Sequence, residues 1–124
     1  MFKFPKKQKL CNEIAIQEMF SNGKSFVIHP IRLVWKEHMN PDNVAIKSII
    51  VVPKKQLKLA TDRNIVRRRI KEIYRLNKAK IETYLEDKNK QLNIAIIYQN
   101  EKILSYKVIE EKIKLILDRL REEI

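Results

Sequence analysis

Residues 53–77 read PKKQLKLATDRNIVRRRIKEIYRLN, and this stretch decides how the rest of the chain is organised. Basic residues dominate it, and its only acids are Asp62 and Glu72. Past Asp62 the charges recur at helical spacing. At about 100° per residue, Arg67, Lys71, Asn64, Arg75 and Arg68 fall in one arc of about 100°. Val66, Ile70 and Ile73 cluster on the far side. One face of this helix is therefore expected to bury itself in a core while the other displays a row of cations. Between Arg63 and Arg75 the single acid is Glu72. A merely solvated helix normally mixes signs and gains from pairs four residues apart. A one-signed row repels itself, and a polyanion relieves that repulsion.

Outward from this helix, the chain alternates strand and helix patterns. Pro53 closes a strand over Val44–Val52, whose nearly continuous apolar end predicts burial on both faces. Lys54–Leu59 is a basic connection, and Thr61 or Asp62 is the expected helix cap. The helix is expected to reach Leu76, with a ragged continuation to Leu85. Leu92–Gln99 reads as a buried strand. Ser105 opens a last helix with Ile109, Ile113, Ile116 and Leu120 on one face. Upstream, Asn12 caps a first helix running to Phe20, and Gly23 is expected to end it in the left-handed conformation. Ser25–Ile28 and Ile31–Glu37 read as strands around Pro30. In the second, Ile31, Leu33 and Trp35 share one face and Arg32, Val34 and Lys36 the other. MNPDN (39–43) is a turn. The expected fold is α/β (α+β), a single sheet packed with helices in the order α-β-β-(β)-α-β-α. Residues 1–124 are expected to form a single domain.

The 124 residues carry a net charge of +12, which calls for an anionic partner, nucleic acid before an acidic membrane surface. Apolar runs such as Ile49–Val52 and Ile94–Tyr98 are too short to span a bilayer. No secretory signal is legible near the start, and the lone Cys11 allows no internal disulfide. These features predict a cytoplasmic protein without a membrane partner. Gly23 is the only glycine, so neither a phosphate-binding Gly-rich loop nor a dinucleotide fingerprint is present. His29 and His38 are the only histidines, and no metal-helix or cysteine-pair spacing occurs. Glu37 and Glu101 lie near strand ends, but two scattered acids make a weak two-metal site. No catalytic side chain is expected. Phe20, at the end of the stripe Ala15, Ile16, Met19, is either core or a stacking platform for a single strand guided by Arg32 and Lys36.

The segment from Lys54 to Arg75 resembles the signature of the bacterial ribonuclease P protein subunit. That signature is a basic pair after a strand, a short connection and an RNxxKRxxRE-like helix. The matching residues are Lys54, Lys55, Ala60, Arg63, Asn64, Arg67, Arg68, Lys71 and Glu72, with Arg75 a turn further on. FSNGKSFVIHPIRLVW (20–35) is similar to the family's Phe-x-x-Gly-x-Ser element and following strand. Leu92–Tyr98 and the last helix fit its ending. Three positions depart from the pattern. Ile65 stands where a basic residue is usual, a contact that is either missing or supplied by Arg69. Val34 and Ile16 replace residues that are often aromatic.

The resemblance implies a left-handed β-α-β crossover around the basic helix, against the usual hand. It implies a subunit of the ribonuclease P holoenzyme, an endoribonuclease that removes the 5′ leader from precursor tRNA. A catalytic RNA with its Mg²⁺ would carry the chemistry. RNA-binding residues would be Lys54, Lys55, Lys58, Arg63, Asn64, Arg67, Arg68, Lys71 and Arg75. Arg63 lies nearer the core side of the wheel. Ile16, Phe20, Arg32, Val34 and Lys36 would form the leader cleft. The alternatives are another α/β RNA-binding protein, such as a ribosomal component, and a protein-only nuclease. Protein metal sites and the oligomeric state stay open.

Overall fold

A computed structural model describes residues 8–10 and 12–124. Cys11 lies outside the described residues. The elements are α1 (Glu13–Asn22), β1 (Lys24–Ile28), β2 (Ile31–Glu37), β3 (Ile46–Val51), α2 (Ala60–Asn77), α3 (Ala79–Asp87), β4 (Leu92–Tyr98) and α4 (Tyr106–Glu123). The four strands form one sheet in the order β1-β2-β4-β3. β1 and β2 form an antiparallel hairpin, and β2 pairs antiparallel with β4, Leu33 opposite Ile96. β3 and β4 are parallel, with Ser48 beside Ile94. The connection between them, α2 followed by α3, is the crossover around the basic helix.

Helices cover both faces of this sheet. On one face α2, α3 and α4 pack on Ile31, Leu33, Trp35, Ile46, Ile94 and Ile96. On the other, Met19 of α1 and Leu10 pack on Val34, Ala95 and Ile97. The alternation expected for β2 is therefore present, with Ile31, Leu33 and Trp35 in one core and Val34 in the other. Every residue of β4 is buried, which is why LNIAIIY shows no alternation. The same reading does not hold for β3, where Ile49, Ile50 and Val51 are only half-buried. β3 is the last strand of the sheet, and a short bridge from Lys9 runs along its outer edge.

Several local expectations are met. The Asn12 side chain accepts from the Ala15 amide at 3.1 Å, and Ser105 accepts from the Val108 amide at 3.3 Å. Both are N-caps of the ordinary kind. The turn at 39–43 is tied to the start of β4: Gln91 accepts from the Asn40 amide at 2.8 Å and donates to Asn43 at 2.7 Å.

Three expectations are corrected. Gly23 is extended (φ −76°, ψ 169°), not left-handed. Glycine is needed there for space, because an added Cβ would lie 2.3 Å from the Met19 carbonyl oxygen and 2.8 Å from that of Trp35. α2 starts at Ala60, earlier than either proposed cap, and its N-cap Leu59 makes no side-chain bond. Asp62 instead sits in the first turn, where the helix dipole favours a carboxylate. Finally, α2 does not run on to Leu85. It ends at Asn77, whose side-chain Nδ2 donates to the Ile73 carbonyl at 2.8 Å, and α3 begins separately at Ala79. Lys78 between them is only 5% exposed. Its ammonium donates to Gln8 and lies 3.8 Å from Glu82. Burial lowers the pKa of Lys78, and burial raises that of Glu82.

Candidate nucleic-acid interface

The basic connection is a built turn. Pro53 accepts from the amides of Gln56 (3.0 Å) and Leu57 (3.3 Å), and the Leu57 side chain is buried in the larger core. Lys54, Lys55 and Lys58 stand exposed around that anchor. Arg63 fixes the turn from the helix side. Its Nη1 donates to the carbonyls of Leu57 and Lys58, both at 2.8 Å. The residue nearest the core side of the wheel thus braces the lysine-bearing turn with part of its guanidinium.

Along α2 the buried set is Val66, Ile70, Ile73 and Tyr74, and burial pushes the Tyr74 hydroxyl well above its ordinary pKa. The apolar face expected from periodicity is the one that packs. Opposite it, Asn64, Arg68 and Lys71 are exposed and Arg67 is half-exposed. Arg67 donates to the Asn64 side-chain oxygen at 2.8 Å, so these two side chains hold each other. Arg75 is engaged by Glu72 at 2.6 and 3.2 Å. The hydrogen bond from Arg75, with its charge, holds the Glu72 carboxyl below its usual value. This pair makes the C-terminal end of the row less positive than its middle. Among the described residues, no acid lies within ion-pair distance of Lys54, Lys55, Lys58 or Arg68.

Ile65, at the position where a cation is usual, is 39% exposed. Arg69 does not stand in for it as an open cation. Its Nη1 donates to the Leu104 carbonyl at 2.7 Å and fastens the loop before α4 to α2. Sequence reasoning missed this tether, because residues 69 and 104 meet only through the fold.

The residues proposed for a leader cleft gather where α1 crosses the sheet. Phe20 is 45% exposed at the last turns of α1, with Ile16 half-buried one turn earlier. Lys36 lies 3.7 Å from Glu18, which links β2 to α1. Arg32 donates to the Ser25 hydroxyl at 3.4 Å. Val34 is different: it is 3% exposed, in the small core that holds Met19 and Ala95. Ile16 therefore packs beside Val34 in the small core, and Lys36 is tied to α1 through Glu18.

Among the described residues, no three His, Cys, Asp or Glu side chains converge as a group able to hold a metal ion. None of the described helices is long and apolar enough to cross a membrane. A cationic helix mounted on the crossover of a mixed sheet, with a second helix over the opposite face, defines an α/β protein built to meet a polyanion.

The comparisons narrow this class. The ribonuclease P family profile matches residues 4–121. Ribonuclease P protein components from two strains of Porphyromonas gingivalis are 31% and 30% identical over 123 residues. Those matches cover 96% of this chain and 87% of each relative. The ribonuclease P protein of Staphylococcus aureus superposes with a TM-score of 0.73 at 18% identity, covering 91% of this chain and 94% of that one. That of Thermotoga maritima gives 0.71 at 23% identity, covering 90% and 96%. The chain belongs to the ribonuclease P protein family and is the protein subunit of this tRNA-processing ribonucleoprotein. The reading as a ribosomal component is not favoured.

Proposed function

We propose that residues 1–124 act as one domain in the cytoplasm, docking on the catalytic RNA of ribonuclease P and holding the 5′ leader of precursor tRNA. The observation that carries this reading is the outward row Asn64, Arg67, Arg68 and Lys71, backed by buried Val66, Ile70, Ile73 and Tyr74. A helix fixed in this way presents donors to phosphates without having to fold on the RNA. Lys54, Lys55 and Lys58 extend the same surface. Arg63 contributes chiefly by positioning them, and Arg75 contributes with its charge reduced by Glu72. Phe20 and Ile16, with Arg32 and Lys36, border the leader path, and Val34 supports it from below. The RNA, with the Mg²⁺ it holds, carries out hydrolysis. The protein lowers repulsion between the two RNAs and contributes no reacting side chain.

Reconstitution tests the reading. The purified chain should restore 5′-leader removal by ribonuclease P RNA at a Mg²⁺ concentration where the RNA alone is slow. No stimulation would overturn it. Two variants separate the surfaces. Arg67→Ala with Arg68→Ala should weaken binding to the catalytic RNA. Phe20→Ala should weaken leader-bearing precursor relative to mature tRNA by about 1–3 kcal/mol if one base stacks there. Equal losses for the two tRNAs would reduce Phe20 to a packing residue.

A further inference from the structure

A groove lies away from both the lysine-bearing turn and α1. It has a volume of about 410 Å³ and is bounded by the last turn of α2, the first turns of α3 and the C-terminal half of α4. Its floor is apolar, formed by Leu76, Ile81 and Leu117. Its polar rim holds three cations, Lys80, Lys114 and Arg121, against one acid, Asp118. Lys80 and Lys114 are exposed, and among the described residues neither has an acid within ion-pair distance. Arg121 lies 3.8 Å from Asp118, and both side chains are largely open to water. Such a pair is worth little and yields readily to a competing phosphate.

We infer that Lys80, Lys114 and Arg121 form a second phosphate-binding subsite, on which the backbone of the partner RNA lies as it continues off α2. The inference rests on the proposed docking of α2 on that RNA and extends it to a surface outside the signature. Two observations favour RNA as the occupant. The rim carries three cations and one anion, the same sign as the α2 row. The groove also starts at the C-terminal end of α2, where Leu76 and Asn77 follow Arg75, the last cation of the row. From Arg67 to Asn77 is ten residues, about 15 Å along the axis at 1.5 Å per residue. One stretch of RNA can cover that span while touching both subsites. The apolar floor suits the sugar and base edges of a strand lying in the groove.

The test is the salt dependence of binding between the intact chain and ribonuclease P RNA. The groove variant replaces Lys80, Lys114 and Arg121 by Gln, and Arg67→Ala with Arg68→Ala serves as the α2 comparison. If each groove cation engages one phosphate, the log–log salt slope of the groove variant should be shallower by about 2–3 units. Lys80→Arg with Lys114→Arg should keep the parent slope, and thermal unfolding should show all variants folded. A groove variant with the parent affinity and slope, while the α2 variant loses both, overturns the inference and leaves the groove to an acidic peptide. If the α2 variant also binds as the parent does, the docking proposal itself fails.

Discussion

Arg63 and Arg68 stand five residues apart in the same helix, and the structure gives them opposite roles. Replacing each with alanine should separate stability from RNA affinity. Arg63 Nη1 serves two carbonyls at 2.8 Å, and the bond to Leu57 is partly buried. Hydrogen bonds from a charged donor contribute about 1.5–3 kcal/mol when shielded, and less in water. Arg63→Ala should therefore lower the unfolding free energy by about 2 kcal/mol, with the exposed bond to Lys58 adding little. Arg68 is exposed and bonds to no described residue, so Arg68→Ala should leave stability within about 0.5 kcal/mol. For RNA the order reverses. Loss of one phosphate contact at Arg68 should flatten the log–log salt slope by about 0.7–0.9. Arg63→Ala should lower affinity mainly by loosening Lys54, Lys55 and Lys58. Urea unfolding gives the first quantity and RNA titration at several salt concentrations the second. The reasoning is refuted if Arg68→Ala destabilises the fold as much as Arg63→Ala, or if Arg63→Ala changes the salt slope with no loss of stability.

Ile65→Arg adds a cation beside the row and should steepen the salt slope for the catalytic RNA by about 0.7–0.9; an unchanged slope would place position 65 off the interface. Gly23→Ala forces a Cβ against two backbone carbonyls and should cost about 1–3 kcal/mol, so an unchanged urea midpoint would count against the close approach of α1 and β2. The Glu72 carboxyl is held below its ordinary 4.5 by Arg75, so the pair stabilises the fold above that value and the effect is lost as pH falls through the lower folded value. Glu72→Gln should thus be less stable than the parent at neutral pH and match it in strong acid. A gap of the same size at both extremes would show that ionisation plays no part.

Much of this fold could be read from periodicity because the relevant spacing is local. Val66, Ile70 and Ile73 repeat along one helix face whatever they touch, and Ile31, Leu33 and Trp35 alternate whatever covers them. The features that escaped depend on distant partners. Lys78 looks like one more surface cation until Gln8, seventy residues away in sequence, is brought to it. Gly23 looks like a left-handed cap until the Trp35 carbonyl from the next hairpin strand is placed beside it. For the interface, the wheel identified the outward row and put Arg63 near the core side. It could not show that Arg69 is committed to the Leu104 carbonyl, whereas the Glu72–Arg75 pair, three residues apart, is local. The groove on α3 and α4 was missed because its three cations come from two helices, and neither has a one-signed face on its own.

The crossover has a consequence for the thermodynamics of assembly. α2 leaves β3 and, through α3, returns into β4, the strand buried along its whole length. Unravelling α2 would strip the cover from that central strand, so the helix should open only with the whole molecule. RNA then meets donors that are already in register, and association spends little on conformational entropy. Calorimetry of the complex should accordingly show a heat-capacity change much smaller than that of coupled folding and binding. Counterion release can then provide most of the drive for association.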